Sequence, residues 1–487
     1  MSVNGPAWNT HGRETSGGRF PLQVEQAVAN PVARLVPGVT TVTVHARYYT
    51  LHSLLAHKAM DENLSTPDAQ NLLRRCEVVM GAASLVDEAA SPALYGRPHG
   101  FAAMQQVSAG GDLDVDEVSR RDAYSTSAWG FRGPYLGAER ILGIVANGST
   151  WKPGKRYDHN AVRPALEPLF ELAGQTTVTA AQLRTVAPEV SIYQCSAAPD
   201  GTWLAGLLCG AETARDRRRR TTLQLIARIL DTHTVASLNA SMIEAVAFGD
   251  FITTDEVASR TEESALWRGL LLRNFSVGAW RRLWAWLVDQ VYLGHATTDS
   301  ALEDRFAEEL PAGTVDALLA ELPSLIDSQG NPLPVEQQIR EDSSTDANRE
   351  LKILACGALR SEHLEGIART VFTRHTSDDL DPVWMRERFR ESGRQSIRDF
   401  GRQLVRDVLA KSRRVSLSKA DVRNDGTLWI PSLLHQRGNE LFASGREGRG
   451  DVGTRLPQLA NIAAACGIFD RSSQTWRLTD RGRTLLD

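Results

Sequence analysis

The chain has 487 residues, 42% of them hydrophobic and 23% charged, with a formal net charge of −4. That length exceeds a single hydrophobic core and implies two to four domains, and the composition is that of a folded protein rather than a disordered or fibrous one. No stretch approaches the roughly 20 apolar residues that span a bilayer, no apolar secretory core follows Met1, and the five cysteines (Cys76, Cys195, Cys209, Cys356 and Cys466) are far apart without a CxxC, which predicts buried free thiols in a reducing cytoplasm and no structural zinc.

Residues 1–20 are polar and Gly-rich and are expected to be a disordered leader. Val44 to Met60 reads as a helix with His45, Tyr48, His52 and Leu55 along one face. Arg47-Tyr48-Tyr49 in that helix would either form a buried polar anchor or line a pocket. Ser65-Thr66-Pro67-Asp68 is a helix start, with a hydroxyl cap, an early proline and an acid in the first turn. An N-terminal helical region is thus predicted over 21–175, closing with a hairpin-bearing element from about residue 120. A capped helix (Thr179 to Ala187), a strand-like run (Val190 to Tyr193) and a long helix opening at Arg215 begin a helical middle domain, 176–325.

Within that domain Thr254 to Leu293 is helical and aromatic. Trp280, Trp284, Leu287, Val288 and Val291 recur at core spacing with only Trp286 off the stripe, so a buried core is expected rather than a base-stacking platform. An acidic helix (Ala301 to Leu310) follows. Residues 326–348, with Gly330, Pro332, Pro334 and a Ser-Ser-Thr-Asp run, are the expected linker or loop.

Residues 349–487 form the expected basic C-terminal region. Residues 381–487 carry 20 Lys and Arg against 13 Asp and Glu, or +7, so residues 1–380 sum to −11. A basic tail on an acidic body fits contact with a polyanion, and it also fits attraction between the two parts of the chain. Arg386 to Ala410 places Phe389, Ile397, Phe400 and Leu404 on one side and arginines mostly on the other. Val415 to Lys419 alternates, Asn424-Asp425-Gly426 supplies a turn and Thr427 to Ile430 returns, a predicted β-hairpin. With no βαβ rhythm the fold class is mainly α with small β-hairpins.

One pattern occurs twice. Leu142-Gly143-Ile144-Val145 is followed by a polar tip and Trp151-Lys152-Pro153-Gly154-Lys155; Cys466-Gly467-Ile468-Phe469 is followed by a polar tip and Trp476-Arg477-Leu478-Thr479. Each copy follows an apolar helical stretch, Tyr135 to Leu142 and Leu456 to Ala465. A helix ended by glycine and then a hairpin with a basic second strand resembles the winged-helix superfamily, although Pro153 departs from the usual strand. The resemblance implies a multi-domain helical body flanked by winged-helix elements. Proteins so built occur among bacterial DNA-handling complexes, including chromosome-organisation subunits and phage-defence systems.

The candidate nucleic-acid-binding residues are the wing cations Lys152, Lys155, Arg477, Arg481 and Arg483, the run Arg215, Arg217, Arg218, Arg219 and Arg220, and the C-terminal Arg413, Arg414, Lys419 and Arg423. Guanidinium groups grip phosphates, and cations at a helix start oppose the macrodipole, which favours a functional reason for the run. Base-reading side chains are few: Gln458 and Asn461 before the second hairpin, and Arg132, Glu139 and Arg140 before the first.

Phosphate-loop, dinucleotide, zinc-protease and nucleophile-elbow motifs are absent. His45, His52 and His57, His435 with Asn439 and Glu440, and His363 to His375 with Asp378, Asp379 and Asp381 read as structural or solvated. The expected function is a non-catalytic DNA-binding or complex-assembly subunit. Its expected partners are double-stranded DNA and protein subunits, with no cofactor, metal or membrane. The alternatives are a nuclease or other enzyme with an unrecognised site, or a protein-only scaffold.

Overall fold

Helix starts are written into the side chains. Ser65 Oγ accepts the Asp68 amide, Thr179 and Gln182 close a capping box, and Thr213 and Asp216 close another, satisfying amides that the first turn leaves without partners. The computed structural model describes residues 20–88, 96–148, 151–322, 334–342, 346–374, 380–423, 425–471 and 475–487. The expected leader therefore lies outside the described residues except for Phe20.

The principal helices are α1 (Gln26–Leu35), α2 (Ala46–Asp61), α3 (Thr66–Val86), α4 (Arg132–Leu142), α5 (His159–Leu166), α6 (Ala180–Val190), α7 (Pro199–Leu208), α8 (Ala214–Thr232), α9 (Glu262–Tyr292), α10 (Asp299–Glu308), α11 (Pro334–Glu341), α12 (Ala347–His363), α13 (Gly366–Phe372), α14 (Pro382–Ser392), α15 (Ile397–Ser418), α16 (Leu456–Ala465) and α17 (Asp480–Leu486). The described strands form two-stranded antiparallel pairs: β1 (Leu113–Asp114) with β2 (Thr177–Val178), β3 (Asp421–Val422) with β4 (Leu428–Trp429), β5 (Leu434–Arg437) with β6 (Glu440–Ala443), and β7 (Phe469–Asp470) with β8 (Arg477–Leu478). The fold is mainly helical, with small antiparallel pairs.

These elements pack as two units, each drawn from separate stretches of chain. Unit 1 comprises residues up to Pro31 and Ile243–Val452; unit 2 comprises Val32–Met242 and Gly453–Asp487. The expected basic region 349–487 is divided at residue 452. By sequence, unit 2 holds 26 Lys and Arg against 23 Asp and Glu, or +3, which leaves −7 for unit 1.

Unit 1 is organised on α9, whose 31 residues are buried on most sides. Trp280, Trp284, Leu287, Val288 and Val291 are all in the core. So is Trp286, 7% exposed with its ring edge-on to Phe306, because helices cover that face as well. The basic stripe is one seam of this unit: Arg402, Arg406 and Arg413 of α15 pair with Asp304, Glu303 and Asp299 of α10. Rising numbers on α15 meet falling numbers on α10, so the helices run antiparallel, and opposite charges cover the edges of an apolar contact. Three arginines of the basic stripe are thus paired with acids of the same unit.

Four local expectations are corrected. Val190 to Tyr193 closes α6 and enters a turn rather than a strand. Val415 to Ser418 is the last turn of α15; the hairpin instead pairs Asp421 with Trp429 and Val422 with Leu428, with Gly426 at φ 78°. Arg386 to Ala410 is two helices, broken between Ser392 and Ile397. The expected linker 326–348 lies partly outside the described residues, but its described residues form α11, where buried Glu336 pairs with Arg360 of α12, and the capped start of α12.

In unit 2, α2 and α3 pack with α4, α5, α6 and α7, while α16 and α17 bring the C-terminus back against α8. Arg47 is fully buried at its centre. Its guanidinium bonds both Asp200 oxygens at 3.2 Å and the Ser191 carbonyl at 2.6 Å, and Thr50 Oγ1 donates to the same carboxylate. Of the two expectations for Arg47-Tyr48-Tyr49, this is the buried anchor: Tyr49 donates to the Gly38 carbonyl and Tyr48 stacks on Tyr135.

Candidate nucleic-acid interface

Both copies of the repeated sequence pattern adopt the same local structure, and both belong to unit 2. In the first, α4 ends at Gly143 (φ 76°), and the amides of Gly143 and Ile144 return to the carbonyls of Arg140 and Glu139. The chain then doubles back, with the Ala146 amide on the Lys152 carbonyl and the Gly154 amide on that of Ile144. Val145 and Pro153 face each other between those bonds. That position requires no donor from residue 153, which is why proline is tolerated there. Gly154 is required by contact: a Cβ would stand 2.1 Å from the Gly143 oxygen.

In the second copy α16 ends at Gly467 (φ 74°), and the amides of Gly467 and Ile468 return to Ala464 and Ala463. Phe469 then pairs with Leu478, and Asp470 with Arg477. Thr479 Oγ1 caps α17, and the Trp476 amide donates to Val235, which adds a third extended segment. Trp151 and Trp476, 7% and 5% exposed, anchor the second arm of each hairpin. The tips, residues 149–150 and 472–474, lie outside the described residues.

Helix α8 links the two modules. At its start, Asp216 accepts Arg156, the residue after the first hairpin; at its end, Val235 meets Trp476 and Asp231 pairs with Arg483. Nineteen residues at about 1.5 Å each make it roughly 27 Å long.

The arginine run that opens α8 does not act as one patch. Arg219 is fully buried and donates to the carbonyls of Leu207, Leu208 and Pro37 and to Asp216. The first two carbonyls end α7, so Arg219 is a cationic cap on a neighbouring helix and is removed from the candidate phosphate ligands. Arg220 donates to the Cys209 carbonyl and Arg217 to that of Ala211. Burial pushes the Asp216 carboxyl up, but hydrogen bonds from Thr213, Arg219 and Arg156 outweigh it and hold the group below the usual carboxylate range. Asp216, which makes the helix start tolerable for so many cations, is the residue that sequence reasoning missed; Thr213 three positions before it was the signal.

The remaining candidates divide clearly. Lys152, Lys155, Arg215, Arg218 and Arg477 are exposed and have no carboxylate partner among the described residues. Arg481 is spent on the carbonyls of Ser196 and Cys466, and Arg483 on Asp231. Arg413 pairs with Asp299, Lys419 donates to the Phe20 carbonyl and Arg423 lies over the Trp429 ring, all in unit 1, where Arg414 is exposed on α15. The candidates beyond residue 380 thus belong to two units, Arg413, Arg414, Lys419 and Arg423 to unit 1 and Arg477, Arg481 and Arg483 to unit 2.

The helices before the hairpins offer little for base reading. Arg132 is 8% exposed and lies over Trp129 and Trp151, Glu139 is fully buried, and Arg140 donates to the Gly148 carbonyl. On α16, Gln458 and Asn461 are half-buried.

The strongest buried polar cluster supports the first module. His52 lies between two carboxylates, with Nδ1 2.6 Å from Glu139 and Nε2 2.9 Å from Glu77; Glu77 also accepts the Tyr124 hydroxyl and the Phe131 amide. Burial alone would pull the imidazole pKa down, but Glu139 and Glu77 raise it to about 9, while burial raises that of Glu139. His45 and His99 nearby are lowered by burial to about 4 and about 3, His99 also by the two other imidazoles. The side chains of His52, Glu77 and Glu139 are at most 1% exposed. That closure makes the triad a clamp holding α4 to α2 and α3.

A pH dependence follows. The raised His52 contributes stability that is complete below about pH 6.5, the unfolded value, and is lost as pH rises through about 9. The depressed His45 and His99 contribute stability present above pH 6.5 and lost as pH falls below it. Urea-unfolding midpoints of the intact chain are expected to peak near neutrality, and His52→Gln should flatten the alkaline arm, worth on the order of a few kcal/mol. An alkaline arm unchanged in His52→Gln would remove the triad as its cause.

His435 does not form a catalytic corner. It is buried on β5, stacked on Phe442, while Asn439 and Glu440 are exposed at the hairpin turn. His363 ends α12, and Asp381 caps α14; residues 375–379 between them, with His375, Asp378 and Asp379, lie outside the described residues. Among the described residues no group of three or more His, Cys, Asp or Glu is disposed to hold a metal, the five cysteines are buried and unbridged, and no helix is long and apolar enough to cross a membrane. No family profile, curated protein or solved structure matches the chain.

Proposed function

We propose that this protein is a non-catalytic nucleic-acid-docking or complex-assembly subunit, and that unit 2 is its duplex-binding platform. The observation that carries this reading is the joining of two winged-helix-like modules by α8 in one unit, with unpaired exposed cations beside them. Lys152, Lys155, Arg215 and Arg218 flank the start of α8, and Arg477 lies on the module at its far end. A duplex carries one phosphate charge per about 1.7 Å of axis, so a rail of roughly 27 Å spans many phosphates.

Of the side chains that would read bases, Arg132 and Glu139 are buried, Arg140 is already bonded, and only half-buried Gln458 and Asn461 remain, which favours backbone contact without sequence preference. Assembly with protein through the same hairpins is the competing outcome. The test is Lys152→Ala, Lys155→Ala, Arg215→Ala and Arg218→Ala combined, compared with Arg413→Ala as a control already paired with Asp299. The combined variant is expected to bind all duplex sequences more weakly, with the salt slope reduced by about one per lost contact. Unchanged affinity and slope in a folded variant would assign the surface to protein.

A further inference from the structure

A cavity of about 330 Å³ in unit 1 brings cations and apolar side chains together. One of its walls is an uncommon element. Ile243–Phe248 is a π-helix, and the Gly249 amide reaches back five residues to the Glu244 carbonyl. Such wide turns are rare and are frequent at functional sites. This one sets Ala247 and Phe248 into the wall, where Ile252, Ala265 of α9 and Ala368 of α13 continue the apolar surface.

Arg268 of α9 and Arg360 of α12 enter the same cavity, and His363 and Glu365, both exposed, stand at its edge. Arg360 is held in place: it pairs with Glu336 and lies 5.5 Å over the Phe248 ring. Arg268 is half-buried, so it is open to a ligand entering from solvent. Burial and the like charge of Arg360 both hold its pKa below the usual guanidinium value. An anion beside the two guanidinium groups offsets that repulsion.

We propose that this cavity binds a small organic monocarboxylate, its carboxylate on Arg268 beside Arg360 and its apolar body against Phe248, Ile252 and Ala368. The planar fork of a guanidinium matches a carboxylate. The size admits such a ligand: about 150 Å³ accommodates one benzene ring, so 330 Å³ has room for a ring and its carboxylate. The apolar walls disfavour a bare phosphate, whose other oxygens would face carbon. Glu365 at the edge likewise favours a single negative charge over two.

Benzoate is the probe, with benzamide and inorganic phosphate as comparisons, titrated into the intact chain by calorimetry. Benzoate should saturate with a dissociation constant of about 1 mM or below, within the range open to nine heavy atoms. Benzamide lacks the charge and phosphate the apolar body, so each should bind several-fold more weakly. Arg268→Gln should weaken benzoate by about 10- to 100-fold, the range of a hydrogen bond to a charged group, and leave benzamide unchanged. Arg268→Lys, which keeps the charge without the fork, should fall between. Ala265→Leu should narrow the cavity and abolish benzoate binding with both arginines in place; melting curves check that each variant folds. The combined Lys152, Lys155, Arg215 and Arg218 variant of unit 2 should bind benzoate as the parent does, which separates this site from the duplex surface. Absence of saturable benzoate binding by the parent, benzamide or phosphate binding as tightly, full affinity in Arg268→Gln or Ala265→Leu, or loss of benzoate in the unit 2 variant would each overturn the proposal.

Discussion

Trp284→Ala is expected to destabilise unit 1 by about 3–5 kcal/mol, the range for deleting a large buried aromatic. Trp284 is 2% exposed, sits about two turns from the C-terminal end of a helix buried on most sides, and donates Nε1 to Glu447 at 3.2 Å. Alanine removes the ring, opens a cavity and leaves Glu447 without that donor. Burial already pushes the Glu447 carboxyl up, so its loss of a partner adds to the effect. Trp284→Phe retains most of the apolar volume and isolates the hydrogen bond, worth about 1 kcal/mol. Chemical denaturation followed by circular dichroism measures both. An alanine variant that unfolds with the parent would show that the stripe on α9 is not the core of unit 1.

Arg47→Ala is expected to cost unit 2 about 3–5 kcal/mol, because it strands a buried charge. Arg47 and Asp200 are both 0% exposed, and Asp200 would keep only Thr50 among its present partners. The paired replacement Arg47→Met with Asp200→Leu should recover most of the loss, since a buried ion pair exchanged for apolar side chains of similar volume is often neutral. A single variant as stable as the parent would contradict the anchor. A double variant no better than the single would show that the hydrogen bond to the Ser191 carbonyl matters more than the charge pairing.

Legibility from the sequence followed the range of the interactions. Caps and helix-ending glycines act within a few residues, so Ser65, Thr179, Gly143 and Gly467 marked their elements correctly. Short alternation did not suffice: Val415-Ser416-Leu417-Ser418 reads as a strand, but extending an existing helix by one turn needs no new nucleus, and α15 runs through it. The hairpin of β5 and β6 carried a legible signal that was missed, Gly438-Asn439 between two alternating runs, with Arg437 opposite Glu440.

The candidate site was legible only in part. The Asp216 pair of Arg219 is local, but what buries Arg219 is the carbonyl end of α7 and the Pro37 carbonyl, the latter 182 residues away. The same holds for His52, whose carboxylates lie 25 and 87 positions distant. Charge totals over long windows were misleading for a related reason. Arg402, Arg406 and Arg413 of α15 are matched by acids of α10 in the same unit, so a charge total over a long window does not locate the cations beside the two hairpins.

A phosphate-binding surface on unit 2 makes the affinity of the intact protein for a short duplex depend on salt concentration. Fluorescence anisotropy with a labelled duplex of mixed sequence between about 50 and 200 mM salt spans the range in which counterion release dominates. With Lys152, Lys155, Arg215, Arg218 and Arg477 engaged, the logarithm of affinity should fall linearly with the logarithm of salt, with a slope of about −4 to −5. Two duplexes of unrelated sequence should give the same line. No binding at the lowest salt, or binding that salt does not weaken, would show that unit 2 has no phosphate-binding surface.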